Sequence, residues 1–211
     1  MKKVICLLSD GLDSPVASYM MIKKGFIPIF LNFLTSTSSS KKMREKIVKI
    51  AKELSSFSNY KTKLYIISHT SNLEVLKREC PRKLTCVLCK RLMFRFAKEI
   101  GKREKSNFII TGDILGEQAS QTLGNLFSYQ NLFKNFVKIS PLIGFNKKDV
   151  IDLNKKIGLY DLCSEKIASC DYNPQYPETN AKIHEVLSAE KGYNPKNLIL
   201  KSLEKAELLE F

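Results

Sequence analysis

No apolar run in the 211 residues approaches the roughly 20 needed to span a bilayer, which excludes a membrane-spanning helix. The run Val4 to Leu8 is also shorter than the roughly 7–15 residues of a signal-peptide core, and Ser9-Asp10 ends it without a small-residue cleavage site. The chain is therefore expected to be cytoplasmic, with no membrane partner. Histidine is scarce. Of the two present, His69 ends a strand pattern and reads as a hydrogen-bonded structural residue, and His184 reads as a surface residue on a C-terminal helix. Repeats are absent, as is low complexity beyond the Thr35–Ser40 run, so no repeat architecture is expected. Acidic residues are outnumbered, 21 against 35 Lys and Arg, leaving a formal charge of +14. That excess suits a polyanionic partner, nucleic acid foremost. It is also concentrated: Lys77 to Lys105 holds eleven basic and three acidic residues, so +8 of the +14 lies in 29 residues.

What is present alternates between two periodicities. Lys3 to Leu8, Phe26 to Phe33, Lys63 to Ser68 and Asn107 to Thr111 are short apolar runs with the length of buried strands, and Val137 to Ser140 is a fifth candidate. Between them, Asp13 to Lys24 is helical and stops at Gly25. Lys42 to Phe57 places Ile47, Ile50, Ala51 and Leu54 on one face, and Cys86 to Gly101 turns Leu88, Leu92, Phe96 and Ile100 inward. Arg91, Arg95, Lys98 and Lys102 form a basic stripe on another face of that helix. Helices are also expected over Asn146–Ile157, near Glu178–Glu190 and over Pro195–Leu209. Strands alternating with helices predict an α/β fold, a Rossmann-like parallel sheet of about five strands with helices on both faces. One domain is expected over residues 1–175, with a C-terminal helical extension, 176–211, packed on it. Ligands of such sheets bind at the carboxyl ends of the strands, where Ser9–Ser14, Thr111–Asp113 and the loop after Phe33 all fall.

Ser9-Asp10-Gly11-Leu12-Asp13-Ser14 follows the first strand and opens a helix, yet lacks the lysine of the common P-loop and carries two carboxylates. Small residues let backbone N–H groups point into such a loop, and the helix N-terminus adds partial positive charge, so phosphate can be held without a lysine. Asp13 would then serve a Mg²⁺ bridging the phosphates. Read alone, the same six residues also suit a capped helix start.

Three blocks carry a resemblance: Ser9 to Ala17 (SDGLDSPVA), Cys89-Lys90-Arg91 with Met93, and Thr111 to Leu126 (TGDILGEQASQTLGNL). In this order they resemble the PP-loop ATP pyrophosphatases, and in particular the tRNA 4-thiouridine synthetase (ThiI-type) family, over about Lys2 to Pro177. Pro141-Leu142-Ile143-Gly144 and the helix bearing Lys147, Asp149 and Ile151 continue the match. Two departures stand out. Asp10 replaces the usual glycine of the loop, and the ferredoxin-like, THUMP and rhodanese regions of the family are not in this sequence, so a stand-alone PP-loop domain is expected.

The resemblance implies an ATP-dependent tRNA sulfurtransferase that adenylates a uridine carbonyl and replaces its oxygen with sulfur. It implies nucleotide contacts from Ser9, Asp10, Gly11, Leu12, Asp13, Ser14, Thr111, Gly112, Asp113 and Gln118, and substrate contacts from Lys90, Arg91, Arg95 and Gln121. Cys86 and Cys89 have metal-ligand spacing at a helix start, where the helix dipole favours thiolates. Cys170 falls where the family holds its sulfur-transfer cysteine. With Cys86 and Cys89 it is implied as a ligand of an iron–sulfur cluster of 4Fe-4S type, Cys163 being a fourth candidate. Persulfide or disulfide chemistry, and a zinc site of Cys86, Cys89, Cys163 and Cys170, remain open. Cys6 reads as a core residue and Cys80 as a non-ligand. The expected partners are tRNA, a sulfur donor (sulfide or a cysteine desulfurase), a separate tRNA-binding subunit and a second copy in a homodimer. Two other readings remain: a PP-loop enzyme acting on a small molecule, and a non-catalytic subunit that binds RNA or carries sulfur.

Overall fold

The computed structural model describes residues 2–211. Its sheet has six strands: β1 (Lys3–Leu7), β2 (Ile27–Leu34), β3 (Lys63–Ser68), β4 (Phe108–Ile110), β5 (Val137–Ile139) and β6 (Glu207–Glu210), in the order β5-β4-β1-β2-β3-β6. The first five are parallel; β6 runs antiparallel to β3, with Leu64 opposite Leu209. About five parallel strands were predicted, and the sixth is the difference: the helix expected over Pro195–Leu209 ends at Leu203 and its last residues turn back as an edge strand.

The strands alternate their side chains between two cores, as a period of two requires. Ile5, Ile29, Leu31, Phe33, Tyr65 and Ile67 face one side, and Val4, Cys6, Phe30, Leu64 and Ile66 the other. The second face is covered by α1 (Asp13–Lys23), α2 (Ser40–Ser56), α6 (Lys147–Lys156) and α7 (Tyr160–Ser164). The first is covered by α3 (Thr70–Glu79), α4 (Thr85–Glu104), α8 (Ile183–Ala189) and α9 (Pro195–Leu203), with α5 (Leu123–Ser128) at its margin. Two covered faces explain why the central strands are continuously apolar. Leu88, Leu92, Phe96 and Ile100 of α4 are all fully buried, as their spacing predicts. The chain order reverses at β1, whose neighbours are β2 and β4, so the loops after β1 and β4 open side by side. No helix among the described residues is long and apolar enough to cross a membrane.

At the opposite end of the sheet, Glu104 accepts from Tyr65 at 2.7 Å, Lys63 at 2.9 Å and Lys3 at 3.0 Å. Burial pushes this carboxyl up, but the hydroxyl and the two ammonium groups outweigh it and hold it down at about 2. A carboxyl depressed in the folded state contributes stability that is present above its ordinary value of 4.5 and lost as pH falls towards 2. Glu104→Gln is therefore expected to flatten the fall in melting temperature between about pH 5 and 2; an unchanged acid limb in a calorimetric series would refute this.

Candidate active site

A cavity of about 330 Å³ opens at the β1/β4 crevice. Ser9, Asp13 and Ser14 line it from the first loop, and Thr111, Gly112, Asp113, Gln118 and Gln121 from the segment after β4. Lys90 joins them from α4, as do Cys86, Cys89 and Cys170. Ser9, Asp13, Ser14, Thr111, Gly112, Asp113 and Gln118, all predicted to bind nucleotide, thus share one cavity with the three cysteines predicted to carry sulfur.

The loop is held by its own hydroxyls: the Ser9 amide donates to Ser14 Oγ at 2.7 Å, and the two Oγ atoms are 2.8 Å apart. Asn154 of α6 donates to Leu12 O at 2.7 Å, and Asn32 of β2 to Leu8 O at 2.8 Å. Gly112 is a close-approach position. A Cβ there would lie 2.6 Å from Ser14 N and 2.8 Å from Asp13 C, inside the loop backbone. Gly112→Ala must push the loop aside at a cost of about 1–3 kcal/mol, so ATP binding followed by calorimetry is expected to weaken about tenfold. An unchanged affinity would show that the loop does not carry the nucleotide.

The charges are paired. Lys147 donates to Asp13 at 2.6 Å, an ion pair that motif reading missed because the lysine enters from α6. Asp113, 2% exposed, bonds Lys90, Lys138 at 2.8 Å and the Thr111 hydroxyl at 2.9 Å. Burial pushes Asp113 up, but the two lysines hold it down at about 2. Its anion fixes Lys90 at the wall of the pocket. Asp10, the residue that departs from the family's loop, does not line the cavity. It lies 3.5 Å from Lys46 Nζ, and this buried ammonium also donates to Glu165 O at 2.6 Å and Cys163 O at 3.4 Å. Gly11 and Leu12 do not line the cavity either.

Two expectations are corrected, those for Arg91 and Cys163. Arg91 is not a phosphate ligand: its guanidinium is fully buried, bound to Glu190 through Nε at 2.9 Å and Nη2 at 2.8 Å, and to Ser128 O and Asn131. Arg95 pairs with the same Glu190 at 2.9 Å and is also absent from the cavity wall. Cys163 is not a fourth thiolate, because α7 packs on the opposite face of the sheet, where its thiol sits beside Lys46 and Asn154. That removes the four-thiolate zinc site.

The thiols also differ from their predicted state. The helix N-terminus was expected to favour thiolates, but burial and the neighbouring Cys170 push Cys86 up, and burial pushes Cys89 up further. Cys86 faces Asn173 Oδ1 at 3.9 Å, and Cys89 Sγ lies 3.5 Å from His69 Nε2. His69 is fully buried and next to Asn72, and burial lowers its pKa to about 3, so the ring is neutral. Cys86, Cys89 and Cys170 share the cavity, close enough that, beyond burial, Cys170 pushes up both other thiols; among the described residues, no group of three or more His, Cys, Asp or Glu could hold a single metal ion. An iron–sulfur cluster, in which each thiolate takes its own iron, would draw on these three thiols.

The fold and its crevice define a PP-loop domain of the α/β nucleotide-binding class. The chain belongs to the ThiI family: the family model described as thiamine biosynthesis protein (ThiI) matches residues 1–194. Two relatives named probable tRNA sulfurtransferase are similar to it. That of Methanosarcina mazei is 37% identical over 99% of this chain and 51% of its own length. That of Methanocaldococcus jannaschii is 39% identical over 87% of this chain and 48% of its own. The chain spans about half the length of these curated relatives. Among solved structures, a 4-thiouridine synthetase–RNA complex with bound ATP superposes on all of this chain and 55% of its own, with a TM-score of 0.94 and 27% identity.

Proposed function

We propose that this chain is an ATP-dependent tRNA sulfurtransferase domain that adenylates a uridine carbonyl and exchanges its oxygen for sulfur. The observation that carries the reading is the single cavity in which the Ser9–Ser14 loop faces Cys86, Cys89 and Cys170. The names of its relatives, and the ATP and RNA of the superposed synthetase, agree with it.

A ring carbonyl oxygen is a poor leaving group. In the first step the uracil O4 attacks the α-phosphorus of ATP; an O–P bond forms and the bond to pyrophosphate breaks. The loop amides, the α1 N-terminus and Lys90 neutralise the departing phosphates. Asp13 is the carboxylate on this wall suited to a Mg²⁺, an ion that binds through one or two carboxylates and the substrate phosphates and would spread their charge. In the second step the terminal sulfur of a persulfide on Cys170 adds to the activated carbon, and AMP leaves with the C–O electron pair. Attack by Cys86 on Cys170 Sγ then closes a disulfide and leaves the sulfur on the base; an external thiol reductant reopens the disulfide. A cysteine desulfurase would supply the persulfide sulfur directly; sulfide would supply it by attacking the Cys86–Cys170 disulfide at Cys170 Sγ, with Cys86 leaving as thiolate.

The test is pyrophosphate release from ATP, with and without unmodified tRNA. A stimulation of about tenfold or more by tRNA is the expected result, because remote substrate contacts drive the chemical step. Release indifferent to tRNA would instead favour a small-molecule substrate, and no release a non-catalytic partner.

A further inference from the structure

A second cavity, of about 420 Å³, adjoins the first and shares Cys86, Gln118, Ser120 and Asn173 with it; Ala119, Pro174 and Pro177 complete its wall. Its two sides come from segments far apart in the chain, and buried side chains fix their spacing. Asn125, fully buried, donates through one amide to Ala119 O at 2.6 Å and to Glu178 O at 2.7 Å, while its Oδ1 accepts from Ala181 N at 2.9 Å. Thr122 adds a hydroxyl bond to Thr179 O. From the other side, Arg82 donates to Tyr172 O at 2.7 Å and Asn173 O at 3.0 Å. The conspicuous Thr111–Leu126 segment thus spends its Asn125 on holding a groove open beside the nucleotide cavity rather than on the nucleotide.

We propose that this groove receives the target uracil, extruded from the RNA. The inference rests on the sulfurtransferase reading and names its substrate subsite. The uracil edge alternates acceptor, donor and acceptor (O2, N3–H, O4), and side-chain amides offer both functions. Gln118 and Asn173 are the amides here, both exposed on the shared wall. Asn173 also touches the Cys86 thiol, so a base read by this amide has its reacting carbon at the boundary between phosphate loop and thiols.

An RNA oligonucleotide carrying 4-thiouridine, the product base, can be cross-linked to this protein by near-ultraviolet light and the adduct mapped by peptide mass spectrometry. Adducts within 117–120 or 173–177 are expected; adducts confined to other segments overturn the assignment. Asn173→Ala is expected to lower both the adduct yield and tRNA-dependent pyrophosphate release about tenfold or more. A variant matching the parent protein in both also overturns it. Failure of the parent protein to release pyrophosphate with tRNA would instead bring down the sulfurtransferase reading, and the groove assignment with it.

Discussion

Cys170→Ser is expected to depress thionucleoside formation about a thousandfold or more while tRNA-dependent pyrophosphate release continues. In the proposed reaction the two half-reactions would draw on different walls of one cavity: phosphate loop and Lys90 on one side, thiols on the other. A serine hydroxyl keeps the shape of the site but cannot carry a sulfur atom, so adenylate should form and then hydrolyse. Mass spectrometry of digested tRNA measures the first quantity, and a coupled pyrophosphate assay the second. A parallel fall in both would mean that Cys170 supports the cavity structurally. Thiolation surviving the substitution would remove the thiol route altogether.

Arg91→Ala should cost about 3–5 kcal/mol of folding stability, the range for stripping one partner from a buried ion pair. The guanidinium bonds Glu190, Ser128 O and Asn131, so its loss leaves Glu190 with Arg95 alone and a backbone carbonyl on α5 without its donor. For a chain of this size, the melting temperature should drop by roughly 10 °C. Denaturation with urea checks the free energy. A native-like melting curve combined with lost RNA binding would restore the arginine to the surface role that its place in the basic stripe suggests.

That arginine shows where reading the sequence reaches its limit. Helical period places Arg91 on a face but does not reveal a carboxylate 99 residues later that buries it. Cys163 fails in the same way, since which side of the sheet a helix covers is a matter of crossover, and the spacing to Cys170 says nothing of it. The four-residue β6, Glu-Leu-Leu-Glu, has no alternation to announce a strand and is made by its pairing with β3. Helix α3 was passed over because its buried face is narrow, Asn72, Leu73 and Leu76. By contrast, β1 to β4 and α4 were legible because continuous apolar runs and i, i+4 spacing leave few alternatives. The Ser9–Ser14 loop and the Cys86/Cys89 pair stand out because their spacing is local, whereas Cys170 is reached only through the family resemblance. Lys147 and Lys138 were not, since each matters only through a carboxylate distant in the chain.

The Asp10–Lys46 contact turns a sequence oddity into a coupled pair. Lys46 is buried, and the carboxylate of Asp10 lies 3.5 Å from its ammonium. A glycine at position 10, the residue usual in the family, would strand that cation unless position 46 changed too. The two sites are therefore epistatic: in divergence or in engineering, neither substitution is neutral alone, and a loop grafted from a relative must bring its own occupant for position 46.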